Sequence, residues 1–427
     1  MIGTKKSLSI IAACSLLLAG CSGGGGPSDS EPLSKDTEAT LSFTYWNENQ
    51  SPAINAHIAE FNKEYPNIKI ETTITPFTQY WTKLRTQAEG NNLPDLFWMN
   101  GPNIELYASN DQLEPLDDII EAGDVDLNNY PQALVDLYTV DDKHYGIPKD
   151  YDTIAIFYNK DLFDKAGVEY PTDDWTWDEF HEKALAISEA LKDEGIYGAA
   201  AAFGNGHGSW YNTVLQAGGF IIEDGKTGYD SPEAVEGIQF WADLIADGSS
   251  PSLEQIADTA PNVMFENGKV AMTWQGTWIV TEFAEKIPDL ESVDIAPLPV
   301  NKRPASVIHG LATVVSANSP NKEAAKAFIK YLSSKEAHLT EAELGTANPA
   351  FTGTQKAFED FQPQWNMKAF SDAAANYSYP YPVSKNTAVW NDFESELIPQ
   401  ALSGARPVAE VTKELAQKMQ AALDEEE

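Results

Sequence analysis

Apolar and polar residues alternate over residues 41–46, the spacing of a half-buried strand, and the chain then turns polar at Asn47, Glu48 and Asn49. From Ser51, with Pro52 behind it, Ile54, Ile58, Phe61 and Tyr65 recur on one helical face until Pro66 interrupts them. This predicts a helix with Ser51 as its cap and Pro52 at its first position. Residues 68–74 predict a second strand, residues 78–89 a second helix with Trp81, Leu84 and Ala88 inward, and residues 95–99 a third strand entered through Pro94. Such alternation builds a parallel sheet covered by helices, with ligands beyond the C-terminal ends of the strands. Trp46, Asn47 and Asn100 stand at those ends.

The pattern changes character between residues 146 and 180. Ile154, Ile156 and Tyr158 alternate against their neighbours as in a strand, helix signals follow Asn159, and Thr176 with Glu179 has the spacing of a capping box before the stripe Phe180, Ala184, Ile187, Leu191. Residues 198–219 carry little regular pattern around Trp210 and Tyr211 and are expected to form a loop leading into a buried turn. A capped helix is predicted over 232–246, a turn, strand and aromatic loop over 265–278, and a strand from His309 leading to a helix capped at Ser319. After residue 350 the chain is helical and aromatic, and it closes with an amphipathic helix over 408–423.

Composition adds the compartment. Lys5 and Lys6 precede an apolar run over 8–19, shorter than the roughly 20 residues that span a bilayer, and Leu18-Ala19-Gly20 leads into Cys21. Residues 1–20 are therefore expected to be a signal peptide, and Cys21 the lipidated first residue of a lipoprotein. Residues 21–38, rich in Gly, Ser, Pro and Asp, are expected to tether lipid to folded body. Cys14 leaves with the signal, so no internal disulfide is available. The remainder is too long for one ordinary core and suits two lobes.

The formal charge of −37, with Arg85, Arg303 and Arg406 as the only arginines, disfavours nucleic acid, because phosphate binding needs clustered cations. An anionic solute is disfavoured for the same reason, and a neutral one fits best. Asp124, Asp126 and Asn128 are spaced like the start of a calcium loop, but Asn129 replaces the turn glycine and Val135 the bidentate glutamate, so no metal is assigned. The stretch around Gly225-Lys226-Thr227 fails as a phosphate loop, because Phe220 occupies the place of its first glycine. No cofactor is called for. The histidines at 57, 144, 181, 207, 309 and 338 are scattered singly and no hydrolase motif is present, which argues against an enzyme.

The segments YNKDLFDKAG from Tyr158, WTWDEF from Trp175, the Gly-Lys-x-Ala-Met strand running into Gly276-x-Trp278, and the stretch from His309 together resemble the family 1 extracellular solute-binding proteins of ABC sugar importers, the group that includes the maltose-binding proteins. The resemblance covers nearly all of residues 41–424. It implies a two-lobe α/β fold of the periplasmic-binding-protein type II class, each lobe a mainly parallel sheet covered by helices, with the ligand cleft at the hinge. Lobe 1 would comprise 39–148 with 306–345, and lobe 2 would comprise 149–305 with 346–427. It further implies a monomeric receptor, membrane-anchored through Cys21, that delivers a carbohydrate to permease subunits served by a separate ATPase. A surface lipoprotein adhering to glycan, or a receptor for another polar solute such as a polyol, remains the alternative.

A sugar presents C–H faces that pack on aromatic rings and hydroxyls that take hydrogen bonds. Matched by motif, Trp46 and Asn47 resemble the first-lobe ligand loop, Asn100 the end of the third strand, Asp152 the crossover carboxylate, and Trp210, Trp278 and Trp390 stacking positions. Asp150, Tyr151, Trp274, Gln275 and His309 are further ligand candidates. Each of these tryptophans has a place in the core as its alternative, and Trp81, Trp98, Trp175, Trp177, Trp241 and Trp365 are assigned there. The chain departs from the family pattern at Glu48 and Asn49, where maltose binders carry a lysine and a second carboxylate.

Overall fold

The computed structural model of the protein describes residues 33–426. The signal peptide, lipidation at Cys21 and most of the tether lie outside the described residues. Among the described residues no helix is long and apolar enough to cross a membrane.

In the first large sheet Ala39–Tyr45 lies between Ile68–Ile74 and Leu96–Asn100 and runs parallel to both. Leu41, Phe43 and Tyr45 enter the core while Thr40 and Ser42 face outward, and Leu96–Asn100, central in the sheet, is buried throughout. Two caps differ from expectation. The first helix is Ser51–Glu64 with Gln50 in the cap position, and the Ser51 hydroxyl meets Tyr45 Oη at 2.9 Å instead. Asn321, not Ser319, precedes Lys322–Leu332; the Ser319 hydroxyl donates to Asp95 Oδ1 at 2.6 Å and accepts the Asn321 N–H at 3.1 Å, just ahead of the helix.

The second sheet has Ile154–Asn159 antiparallel to both Val293–Ala296 and Val270–Gly276, while Tyr197–Ala200 runs parallel to Val270–Gly276. It is mixed where a mainly parallel sheet was expected, because the strand arriving from the first sheet runs against its new neighbours. Residues 198–219 also differ from the expected loop: they contain the end of Tyr197–Ala200 and the helix Trp210–Gln216. Every residue of that helix is buried. A helix covered on all sides lacks the polar face whose periodicity announces surface helices.

The chain passes between the sheets through a single residue. Ile147–Asp152 belongs to the first sheet, Ile154–Asn159 to the second, and only Thr153 separates them. Ser306–Val315 makes the return, pairing antiparallel with Ile147–Asp152 so that His309 stands opposite Asp152. At the passage the Ile154 N–H donates to Ser306 Oγ (2.9 Å), the Thr153 hydroxyl to the Phe370 carbonyl (2.9 Å) and the Tyr381 N–H to the Ile308 carbonyl (2.9 Å).

Beneath the passage lies a buried ion network. Lys149 Nζ is 2.9 Å from Asp150 Oδ2, 3.2 Å from Glu341 Oε1 and 2.7 Å from Gln50 Oε1, and His57 Nε2 is 3.3 Å from Glu341. Burial alone would raise the Glu341 carboxyl, but Lys149 and His57 outweigh it and hold it at about 2. Removing one partner of a buried pair strands the other, so Glu341→Gln should cost about 3–5 kcal/mol in urea denaturation at pH 7. Because the folded pKa lies below the unfolded value of about 4.3, this stabilisation is present above that value and is lost as pH falls toward 2. The gap between parent and variant should therefore narrow at pH 3; a gap unchanged from pH 7 would refute this account of Glu341.

Candidate functional site

The ends of strands from both sheets converge on a cleft of about 670 Å³, inside the roughly 300–1,000 Å³ range of small-molecule sites. Trp46 and Asn47 follow Ala39–Tyr45, Asn100 closes Leu96–Asn100, and Asp150, Tyr151 and Asp152 end the passage strand, with His309 opposite. From the second sheet, Trp274 and Gln275 end Val270–Gly276 and Trp278 lies just beyond. The cleft thus brings together every candidate read from the sequence except Trp210 and Trp390.

Local packing sets these side chains. Trp46 is held by edge contacts from Tyr80 and Trp98, with ring centroids 4.9 and 5.1 Å away. Trp278 folds back over its own strand, and a Cβ on Gly276 would lie 2.0 Å from the indole. The glycine of the Gly-x-Trp motif is thereby explained as space for the ring. Asn47 accepts from the Asn49 N–H at 3.0 Å and Asn100 Oδ1 from Asn103 Nδ2 at 2.8 Å, which fixes both amides. Asp150 accepts from the Leu311 N–H (3.0 Å) and from Lys149 (2.9 Å), so its oxygens are already engaged. Trp274 reaches the cleft only at its edge: it is 1% exposed and packs on Trp241 at 4.8 Å.

Trp210 and Trp390 are core residues, a correction to their expected stacking role. Trp390 is fully buried and its indole N–H donates to Ser384 Oγ at 2.9 Å. Trp210 acts one layer below the cleft: its N–H donates to Tyr229 Oη (2.9 Å), Tyr229 donates to Glu394, and Tyr211 donates to the other Glu394 oxygen at 2.6 Å. Glu394 lines the cleft.

Sequence reasoning missed several lining residues. Phe77 is 46% exposed and contacts Trp46, and Trp81, assigned to the core, lines the cleft as well. His207 arrives on the loop 201–209, beyond the end of Tyr197–Ala200, where the rule of strand C-termini would have found it. Its loop turns tightly over Tyr211, which a Cβ on Gly206 would meet at 2.2 Å. Asn391, Glu394 and Tyr381 come from the C-terminal region and carry no local signal.

His207 Nε2 stands 2.9 Å from Asp152 Oδ1, yet the two are misaligned, and neither has a hydrogen-bond partner. Burial pushes Asp152 up to about 7 against the opposing pull of His309, and pushes His207 down to about 3 and His309 to about 4. His309 Nε2 accepts the Gly101 N–H at 3.3 Å. Asp150, Asp152, Glu282 and Glu394 line the cleft, and among the described residues no lysine or arginine does. Such a surface offers acceptors, amides and aromatic faces and has no cation for an anionic ligand.

Comparison with known proteins agrees with this layout. The family model described as bacterial extracellular solute-binding protein matches residues 45–338. The arabinooligosaccharide-binding protein of Bacillus subtilis is 26% identical over 345 residues, covering 77% of this chain and 76% of that protein. The galactooligosaccharide-binding protein of the same organism is 26% identical over 348 residues, covering 80% and 79%. Among solved structures, an ABC substrate-binding protein from Listeria monocytogenes in complex with cycloalternan superposes with TM-score 0.84 at 26% identity, covering 91% of this chain and 100% of that one. The GacH receptor of Streptomyces glaucescens shares the fold, with TM-score 0.82 at 23% identity, covering 92% and 100%.

Burial pushes Glu394 up to about 8, although Tyr211 and Tyr229 pull the other way. A carboxyl raised above its unfolded value of about 4.3 keeps its proton when folded, so the stability it contributes is full below that pH and is lost as pH rises toward 8. Glu394→Gln should remove this slope. In denaturation between pH 5 and 8 the parent should lose stability relative to the variant by up to about 1.4 kcal/mol per pH unit, and parallel curves would show that the carboxyl is ionised throughout.

Proposed function

The chain belongs to the bacterial extracellular solute-binding protein family, and from that premise we propose that it is the receptor of an ABC importer for an uncharged oligosaccharide. The observation that carries the reading is the lining of the cleft: Trp46 and Trp278 on opposite sides, amides and carboxylates between them, and no lysine or arginine among the described lining residues. Aromatic faces take the C–H surfaces of a sugar, and the acceptors take its hydroxyls. A phosphorylated ligand would be buried without a counter-charge. The oligosaccharide-binding relatives support the same class.

On this reading residues 149–152, which the sequence had put in the second lobe, belong with the first because they continue the strand Ile147–Asp152; the lobes are 39–152 with 306–345 and 153–305 with 346–427, hinged at Thr153 and at the start of Ser306–Val315. Trp46, Asn47, Asn100, Asp150, Tyr151, Asp152, Gln275, Trp278 and His309 contact the ligand, and Trp274 contacts it at the rim. The protein works as a monomer, held at the outer face of the membrane by lipid on Cys21. It carries out no chemistry on the sugar and hands it to permease subunits powered by a separate ATPase. Ligand held by both lobes favours the closed arrangement, because only that arrangement makes both sets of contacts.

Tryptophan fluorescence titrated against mono- and oligosaccharides tests the reading. One sugar class should saturate the signal at about micromolar Kd, and Trp278→Ala or Trp46→Ala should weaken it roughly tenfold or more, about 1.4 kcal/mol. Trp390→Ala should instead destabilise the fold by about 3–5 kcal/mol, as removal of a buried indole does. A folded protein that answers no sugar while binding polyols or peptides would overturn the assignment.

A further inference from the structure

Asp152, His207 and His309 bring three ligand-type atoms within 4.8 Å of one another, all facing the cleft. They come from three separate segments: the end of Ile147–Asp152, the loop 201–209, and the return strand Ser306–Val315. Side-chain exposures are only 13% for Asp152 and 10% for His207, and His309 is buried. Buried polar atoms are normally paired, but Asp152 Oδ1 and His207 Nε2 lie side by side with neither aligned to a partner. The contact that competes for His309 is long, the Gly101 N–H at 3.3 Å.

From this cluster we infer that the cleft holds a site for a divalent transition-metal ion, Zn²⁺ being the best match, with Asp152, His207 and His309 as its protein ligands. Two imidazoles and one carboxylate are a donor set suited to Zn²⁺, Cu²⁺ or Ni²⁺, whereas Ca²⁺ and Mg²⁺ prefer oxygen alone. Bond lengths of about 2.0–2.2 Å place tetrahedral ligand atoms roughly 3.3–3.6 Å apart, so Asp152 Oδ1 and His207 Nε2, now 2.9 Å apart, must open slightly while the widest separation closes from no more than 4.8 Å, both within the reach of side-chain rotation. The fourth position opens into the cleft, where water or a hydroxyl of a cleft ligand completes the shell. Because His207 stands on the loop after a second-sheet strand while Asp152 and His309 are paired in the first, a bound ion ties the two sheets across the cleft.

The inference rests on this cluster and not on the sugar reading, and its test uses metal alone. Tag-free, metal-stripped protein is titrated with Zn²⁺ by calorimetry and with Co²⁺ by visible absorption. One Zn²⁺ should bind per chain with a rise in Tm, and Co²⁺ should give the intense bands of a tetrahedral site. His207→Ala and His309→Ala should each weaken binding at least tenfold and abolish those bands. His181→Ala, which removes the surface histidine 2.5 Å from Asp247, should leave both unchanged. Should a cleft variant fail to fold, Cu²⁺ in the unaltered protein still decides, because its paramagnetic resonance should show coupling to two imidazole nitrogens. Absence of Zn²⁺ binding, binding indifferent to His207→Ala, or Cu²⁺ without that coupling would overturn the inference.

Discussion

The structure depends on getting the chain from one sheet to the other without leaving a buried peptide group unpaired. A passage one residue long at Thr153 accomplishes this because side chains and neighbouring strands supply what sheet pairing cannot: Ser306 Oγ for the Ile154 N–H, and the Phe370 carbonyl for the Thr153 hydroxyl. An unpaired buried donor costs about 1–3 kcal/mol, so the passage has little freedom of register. The pairing of His309 with Asp152 is thereby fixed, and with it the position of both groups at the floor of the cleft. Residues 150–152 owe their place to strand continuity and not to a loop, which is how a ligand site gains rigidity.

Burial acts on two carboxyls near this floor and produces opposite results. Glu341 lies within reach of Lys149 and His57 and stays ionised, while Glu394 has only tyrosine hydroxyls and is driven toward its neutral form. The first arrangement ties the passage strand to the helices that carry His57 and Glu341. The second places a carboxyl at the cleft wall whose orientation is set by Tyr211, Tyr229 and, through Tyr229, by Trp210. With no lysine or arginine among the described lining residues, the cleft is matched to ligands that are neutral or positive.

Much of this was legible in the chain. Strand alternation located Ala39–Tyr45, Ile68–Ile74 and Leu96–Asn100 to within a residue or two, and the capping box at Thr176 and Glu179 is present with both its bonds. Trp46, Asn47 and Asn100 followed from the same pattern as cleft residues at strand ends, whereas Asp152 and Trp278 came from the family resemblance. What was not legible had physical reasons. Trp210–Gln216 is buried on every side and so lacks amphipathic spacing. The Ser51 hydroxyl meets Tyr45 instead of capping its helix, and the Ser319 hydroxyl, held by Asp95 from far along the chain, takes the Asn321 N–H before the helix begins. Glu394 and Asn391 stand on a helix, Thr387–Leu402, whose approach to the cleft is a tertiary fact. Tryptophans were ambiguous for the same reason: a ring that covers a ligand and a ring that fills a core have the same local sequence.

The distribution of the rings shows what closure has to use. Trp46 and Phe77 belong to the first sheet's side of the cleft and Trp278 to the second's, while Asp152 and His309 sit at the passage itself. Contacts made at the passage are available whatever the angle between the sheets, so they add affinity without favouring one arrangement over another. On the hinge proposed above, groups carried by opposite sheets, such as Trp46 and Trp278, are the ones that would convert binding energy into a shift of population. A ligand long enough to touch both walls at once would use both sets of contacts, which is what the oligosaccharide reading proposed above requires.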